Sequence, residues 1–187
     1  LEELKKYLVK KKYKSFYNVH EKNKFKESYK NQLDNENKKE FKKIMNYYGD
    51  IKLKHKILSY LMQLFEINIH AKDYYLTAKE IKYMSKLGMI IGSHTESHTL
   101  LSRLNYKKQF NEIYKSKIFL EKIIKKKVDT FCYPYGGKLS YNKNTLRVLK
   151  KLKFKSAFVV NYRDITKNDI QNNLFELPRY DCSYFKT

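Results

Sequence analysis

The segment from Thr77 to Tyr133 alternates between amphipathic helical patterns and short apolar runs, and this alternation constrains the fold more than any other feature. Thr77 followed by Glu80 forms a capping-box start, apolar residues then recur at helical spacing, and Gly88 is a helix stop. Met89 to Gly92 has the apolar character of a short buried strand. Because helices and strands alternate, the sequence predicts an α/β fold with parallel strands joined by helices.

The flanking sequence extends this pattern in both directions. Before it, the sequence predicts a helix carrying Leu4, Leu8 and Val9, a strand over Lys14–Val19, a mobile loop over Glu21–Lys39 and two amphipathic helices around Gly49-Asp50. Within and after it, the sequence predicts a helix over Lys107–Ile124, a strand over Val128–Tyr133, a helix over Tyr141–Leu152, a strand over Ser156–Val160 and a loop over Asn161–Asn173. The apolar face of the Lys107–Ile124 helix is predicted to carry Phe110, Ile113, Ile118 and Leu120.

The run Gly92-Ser-His-Thr-Glu-Ser-His98 follows the first apolar strand and has the spacing of a metal site. His94 and His98 would face one ion if the backbone between them made one helical turn. Neutral imidazole is the commonest metal ligand among side chains, and hydrolytic zinc sites typically use three protein ligands plus water. Glu96 lies two residues after His94, which excludes a zincin helix. The alternative is a polar turn that carries two surface histidines.

Two motifs in this order resemble those of the polysaccharide deacetylase family, also called the NodB homology domain or carbohydrate esterase family 4. The first runs through LGMIIGSHTESHTLLSRL and contains that family's His-Ser/Thr-x-x-His pattern. The second, FCYPYGG, ends in Pro134-Tyr-Gly-Gly137 and is similar to the family's Pro-Tyr-Gly motif, although in isolation it would be an ordinary turn. The resemblance extends from about Leu4 to Arg179.

This resemblance implies a distorted, incomplete (β/α) barrel with its active site at the carboxyl ends of the strands. His94 and His98 match the family's metal-binding histidines, which implies a divalent ion, zinc by preference and cobalt or nickel as alternatives. The backbone N–H of Tyr135 matches the oxyanion donor. The substrate-binding positions carried over are Tyr133, Pro134, Tyr135 and Gly136, with the two tyrosine rings expected to stack on a sugar face.

The chain also departs from the family pattern in its first motif. No Thr-Phe-Asp-Asp-Gly sequence is present, so neither the aspartate that is the third metal ligand nor the aspartate base has a counterpart. The expectation is a single domain over residues 1–187 that begins downstream of this motif, lacks the first strand and carries a helical and loop insertion at about 21–74. Such a fragment is expected to bind metal weakly and to turn over little substrate.

Two further departures concern groups that assist the reaction. Cys132 occupies the place of an arginine that many members carry before the proline, as in the Phe-Ala-Tyr-Pro branch. Arg179 either serves instead or simply ends a terminal strand. No histidine follows His98, so the family's late general-acid histidine has no match.

Composition adds limits rather than a function. The formal charge is +22 and the pI near 9.7, but almost all of the positive charge is lysine, whereas base and phosphate recognition favours arginine forks. We attribute the lysines to an AT-rich genome, with attraction of an anionic glycan as a lesser alternative. No apolar run approaches twenty residues, as a membrane-spanning helix would need. Cys132 and Cys182 are expected to be free thiols.

The sequence therefore predicts a metal-dependent hydrolase that removes acetyl groups from an N-acetylated, or O-acetylated, carbohydrate of the cell surface or wall. The expected partner is a carbohydrate polymer or oligosaccharide, and no nucleic acid. The alternatives are a non-catalytic glycan-binding domain on the same fold and a lysine-rich nucleic-acid binder, which would not explain the histidines. The compartment stays open between bacterial cell envelope and cytoplasm, and the oligomeric state is not predicted.

Overall fold

The computed structural model describes residues 2–10, 19–30, 32–49, 51–182 and 185, and these form two compact units that divide after Asp73. The helices are α1 (Glu2–Lys10), α2 (Val19–Lys24), α3 (Glu36–Lys43), α4 (Ile51–Leu64), α5 (Ala78–Lys86), α6 (Tyr106–Ile124), α7 (Lys143–Lys151) and α8 (Lys167–Asn172), with a π-helix at Ile44–Tyr48 and 3₁₀ turns at Ala71–Asp73 and Leu101–Arg103. The strands are β1 (Thr130–Cys132), β2 (Ser156–Val160) and β3 (Leu177–Arg179).

The first unit, up to Asp73, is helical. The predicted amphipathic pair is present as α3, continued by the π-helix, and α4, and the expected N-terminal helix is α1. Aromatic residues hold the unit together: Phe25 stacks on Tyr47 at a ring-centroid distance of 4.5 Å, and Tyr7 lies 4.4 Å from Tyr60. The predicted loop over Glu21–Lys39 is wrong in part, because α2 runs to Lys24 and α3 begins at Glu36.

The predicted strand over Lys14–Val19 lies largely outside the described residues. Its last residue, Val19, begins α2. The boundary after Asp73 falls at the end of the predicted insertion, 21–74, while the single-domain organisation itself stays a prediction.

The second unit contains a parallel sheet of order β1-β2-β3, as the helix–strand alternation predicts. Ser93 extends it by one parallel bridge to Phe131. Phe131, Ala157 and Val159 face a buried core that is completed by α6 and α7. In parallel β/α units the carboxyl ends of all strands reach the same edge. Residues that follow Ser93, Cys132, Val160 and Arg179 are therefore neighbours.

The Met89–Gly92 strand is a wrong prediction. Only Ser93 pairs with the sheet, and Met89 and Ile90 are 53% and 83% exposed. An apolar run becomes a strand when it has a pairing partner and a covered face, and local sequence supplies neither. The helix before it is confirmed, because the Thr77 and Glu80 capping box starts α5 as predicted.

The remaining elements of the second unit follow the predictions with two exceptions. β2 has the predicted bounds, and α6 and α7 agree within about two residues at each end. Ile118 is 42% exposed and does not belong to the apolar face of α6. The predicted loop over Asn161–Asn173 contains α8, whose capping box joins Thr166 and Asp169.

No helix in the described part of the chain is long and apolar enough to cross a membrane.

Candidate metal and oxyanion site

The two histidines of the Gly92–His98 run lie side by side at the carboxyl edge of the sheet. The ring centroids of His94 and His98 are 4.9 Å apart, with the rings inclined edge to face. His94 is partly buried and directly follows the bridging residue Ser93, whereas His98 is exposed. The loop brings the imidazoles together as the spacing predicts.

The backbone between the histidines is not the helical turn that the spacing suggested. Thr95 and His98 have positive φ angles, 68° and 51°, in the left-handed region that L-residues rarely adopt. The segment is a bent loop, and the close approach of the rings depends on this unusual backbone. Positive φ at two such residues stores strain of the kind that clusters at functional sites.

A backbone carbonyl fixes the tautomer of His94. Its Nδ1 lies 2.7 Å from the carbonyl oxygen of Cys132, and because a carbonyl only accepts, Nδ1 must carry the hydrogen. The lone pair is then on Nε2, which is the arrangement that metal-ligating histidines share. Burial lowers the pKa of His94 below its usual 6.5; the bond to Cys132 opposes this, and the charge of Arg179 adds to it. The neutral, metal-binding form is favoured.

The Pro-Tyr-Gly turn stands next to the histidines. The Tyr135 ring centroid lies 4.8 Å from that of His98. Tyr135 and Gly136 both have positive φ, 63° and 69°, and the Gly136 carbonyl accepts a hydrogen bond from the Val160 N–H at 2.9 Å. A Cβ on Gly136 would lie 2.4 Å from Cγ2 of Val160, so only glycine fits here.

Tyr133 has a structural role, which corrects the prediction that its ring stacks on a sugar. The side chain is fully buried, its hydroxyl donates to the Phe175 carbonyl at 2.8 Å, and its ring stacks on Tyr141 at 4.2 Å. Tyr133 directly follows β1 and lies on the same side as Phe131, because side chains alternate along an extended chain, and that side is the core. Pro134 and Gly136 are also buried, so Tyr135 is the partly exposed member of the four predicted substrate positions.

Arg179 lies at the end of β3 and acts on both neighbouring groups. Burial lowers the pKa of His94, and the charge of the Arg179 guanidinium lowers it further. Burial raises the pKa of the Cys132 thiol, and the Arg179 guanidinium opposes that rise. The Arg179 Nε and the Thr95 Oγ1 are buried and have no hydrogen-bond partner among the described residues. Buried polar atoms are normally satisfied, so these two atoms beside the histidines are ones that a bound polar group would satisfy.

These residues fit part of a metal site. Two imidazoles, one held in the metal-binding tautomer, supply two ligands. Within the described residues no cluster of three or more histidine, cysteine, aspartate or glutamate side chains could hold an ion. A three-ligand metal site at these histidines would need its third ligand from outside the described residues.

Sequence reasoning missed a polar stripe on α6. Gln109, Glu112 and Ser116 are spaced three and four residues apart, which places them on one helix face. Ser116 accepts a hydrogen bond from Ser93 at 3.0 Å, and Gln109 donates to the Leu104 carbonyl at 2.8 Å. The spacing of polar residues on this helix was the available signal.

The comparisons with known proteins identify a family for this chain. The profile of the polysaccharide deacetylase family matches residues 52–157, more than half of the chain. The Streptococcus pyogenes deacetylase PplD in complex with acetate is 30% identical, with 56% of this chain and 44% of that chain covered and a TM-score of 0.51. A polysaccharide deacetylase from Bacillus cereus is also 30% identical, over 56% of this chain and 32% of that chain, with a TM-score of 0.46.

A CE4 family pseudoenzyme from Bacillus anthracis is 15% identical, over 43% of this chain and 27% of that chain, with a TM-score of 0.40. No curated protein matches the chain. The chain spans less than half the length of these three solved structures. By the family match, this chain belongs to the polysaccharide deacetylase family, and its parallel sheet is that of an incomplete NodB-type barrel.

Proposed function

We propose that residues of this chain form the larger part of the active site of a metal-dependent carbohydrate deacetylase. The observation that carries the proposal is the pairing of His94 and His98 at the sheet edge beside the Tyr135 turn. It is supported by the bond from His94 Nδ1 to the Cys132 carbonyl, which leaves Nε2 for a ligand. The substrate would be an N-acetylated or O-acetylated polymer or oligosaccharide of the cell surface or wall.

His94 and His98 would hold the ion through their ring nitrogens, with zinc preferred and cobalt or nickel as alternatives. When bound, such an ion acts as a Lewis acid that polarises the acetyl carbonyl and lowers the pKa of a water molecule. The third ligand and the carboxylate base would come from an aspartate pair outside these 187 residues.

The remaining roles fall to residues on neighbouring strand ends. The Tyr135 N–H would donate to the oxygen that becomes negatively charged as the carbonyl is attacked, which is commonly worth a few kcal/mol of barrier. Arg179 would place its buried Nε hydrogen against the carboxylate base, since that atom lacks a partner among the described residues. The products would be acetate and an amine, or acetate and a hydroxyl group.

Acetate release tests this function directly. The full-length protein should release acetate from acetylated chitooligosaccharide or peptidoglycan when zinc is present, and His94→Ala or His98→Ala should abolish the release. His55→Ala, on the exposed side of α4, is the matched control and should leave activity unchanged. Activity that survives a chelator, or that survives loss of either site histidine, would contradict the proposal.

A non-catalytic glycan-binding domain is the second candidate. It is favoured by one observation: no acidic side chain joins the two histidines within the described ranges. This candidate predicts that the 187-residue chain binds acetylated oligosaccharide without metal and that His94→Ala does not change the affinity. The deacetylase predicts that glycan binding depends on metal or on both histidines.

A further inference from the structure

The loop that carries the two histidines cannot keep its shape by backbone preference alone. Thr95 and His98 both adopt positive φ. The left-handed conformation costs roughly 1–2 kcal/mol per L-residue, and a β-branched residue such as Thr95 is among the least suited to it. Contacts from outside the loop must therefore hold it.

The two ends of the loop are held in different ways. On the His94 side, the Ser93 N–H donates to the Thr130 carbonyl at 2.9 Å, and the Ser93 carbonyl accepts from the Cys132 N–H at 2.9 Å. These sheet bonds fix His94 directly. His98 is five residues beyond Ser93 and lies outside the sheet.

Glu112, on α6, makes the hydrogen bonds to the middle of the loop. The Ser97 N–H donates to Oε2 of Glu112 at 2.9 Å, and the Ser97 hydroxyl donates to Oε1 at 2.8 Å. The carbonyl of Glu112 also accepts from the Glu96 N–H at 3.1 Å. Glu112 thus makes three hydrogen bonds to the two residues that precede His98. Bonds to an ionised carboxylate are stronger than neutral ones.

The neighbouring ion pair is a weaker restraint. Lys115 lies 3.0 Å from Glu96, but the two side chains are 59% and 49% exposed. Exposed pairs of this kind contribute little because solvent screens them and both side chains lose conformational entropy. Glu112 accepts hydrogen bonds from two backbone N–H groups of the loop as well as from the Ser97 hydroxyl. Its hydrogen bonds therefore set the loop conformation.

We propose that Glu112 is a positioning residue that holds His98 in place against His94, so that the two imidazoles can share one ion. This role rests on the proposed function, but the geometry it describes exists without metal. Loss of the Glu112 side chain removes both bonds to Ser97 and keeps the backbone bond to Glu96. Because the sheet fixes His94, this loss should release His98 and leave His94 in position.

Glu112→Ala, Glu112→Gln and Glu96→Gln in the 187-residue chain test this role. In metal-free NMR spectra, Glu112→Ala should lose the cross-peak between the His94 and His98 rings and should speed amide exchange at Ser97, while the Thr130 and Cys132 amides keep their protection. Glu112→Gln retains an acceptor for the Ser97 N–H and should restore most of both signals. Glu96→Gln removes only the surface ion pair and should behave like the wild type.

The same variants are then titrated with cobalt(II) as the probe. Glu112→Ala should weaken cobalt affinity by about 10- to 100-fold, the usual effect of losing a residue that orients a metal ligand, and Glu112→Gln should recover most of it. An unchanged ring cross-peak, Ser97 exchange rate and cobalt affinity in Glu112→Ala would overturn the role. Absence of cobalt binding in the wild type would contradict the proposed function instead, and the metal-free spectra would still decide the role of Glu112.

Discussion

The Nδ1 atom of His94 lies 2.7 Å from the carbonyl oxygen of Cys132. This bond links the residue after the Ser93 bridge to the last residue of β1, which lies two residues before Pro134. The metal-ligand tautomer of His94 therefore depends on the position of β1. The histidine loop and the oxyanion turn are therefore one structural unit. Disturbing the turn should disturb the histidines.

Gly136→Ala tests this dependence. Its Cβ would lie 2.4 Å from Cγ2 and 2.8 Å from the backbone N of Val160, at a φ of 69°. We expect a loss of roughly 2–4 kcal/mol from left-handed strain and overpacking, together with loss of metal binding. Chemical denaturation and cobalt titration measure the two effects.

Gly137→Ala is the matched control for that substitution, since nothing lies within 4 Å of the added Cβ. It should change stability by no more than about 0.5 kcal/mol. Equal effects of the two substitutions would show that the turn is not closely packed against β2.

Tyr133→Phe tests the assignment of Tyr133 to the core. Removing the hydroxyl leaves the Phe175 carbonyl without its donor, which should cost roughly 1–3 kcal/mol in the free energy of unfolding. Substrate affinity should not change. Tyr141→Phe, whose hydroxyl donates to the exposed Glu176, should cost less. Unchanged stability in Tyr133→Phe would contradict the assignment of the buried hydroxyl to the core.

The Arg163–Asp169 pair predicts a pH dependence of stability. Both carboxylate oxygens of Asp169 accept from Arg163 at 2.7 Å, and bonds from Arg163 and Thr166 hold the pKa of Asp169 well below its usual 3.8. A carboxyl with a lowered folded pKa stabilises the protein above the unfolded pKa and loses this contribution as pH falls below it.

Thermal denaturation should therefore show Asp169→Asn less stable than the wild type at pH 7, with the gap narrowing as the pH falls from about 5 to 2. Asp164→Asn, at an exposed position before α8, is the control and should show a much smaller gap. A gap for Asp169→Asn that stays constant with pH would contradict the assignment.

Local signals explain which elements could be predicted from the sequence. The start of α5 depends on the side chains of Thr77 and Glu80, and β2 combines β-branched residues with an alternating burial pattern. Both signals lie within a few residues. The start of α8 carries a similar signal, with Asp169 in place of glutamate at the third helical position, and could have been recognised.

Other features depend on partners distant in the sequence. Whether Met89–Gly92 pairs as a strand depends on a neighbouring strand, and the sheet contacts only Ser93. The spacing of His94 and His98 indicated that they meet, but not that the path between them is a strained loop. The contact of Glu112 with Ser97 joins residues 15 apart and leaves no motif.

Zinc binding by the 187-residue chain tests the central claim, that His94 and His98 are two ligands of one divalent ion. Isothermal titration calorimetry should show weak one-to-one binding that either His94→Ala or His98→Ala abolishes and that His55→Ala leaves unchanged. Binding that survives both site substitutions, or that His55→Ala weakens equally, would contradict the account.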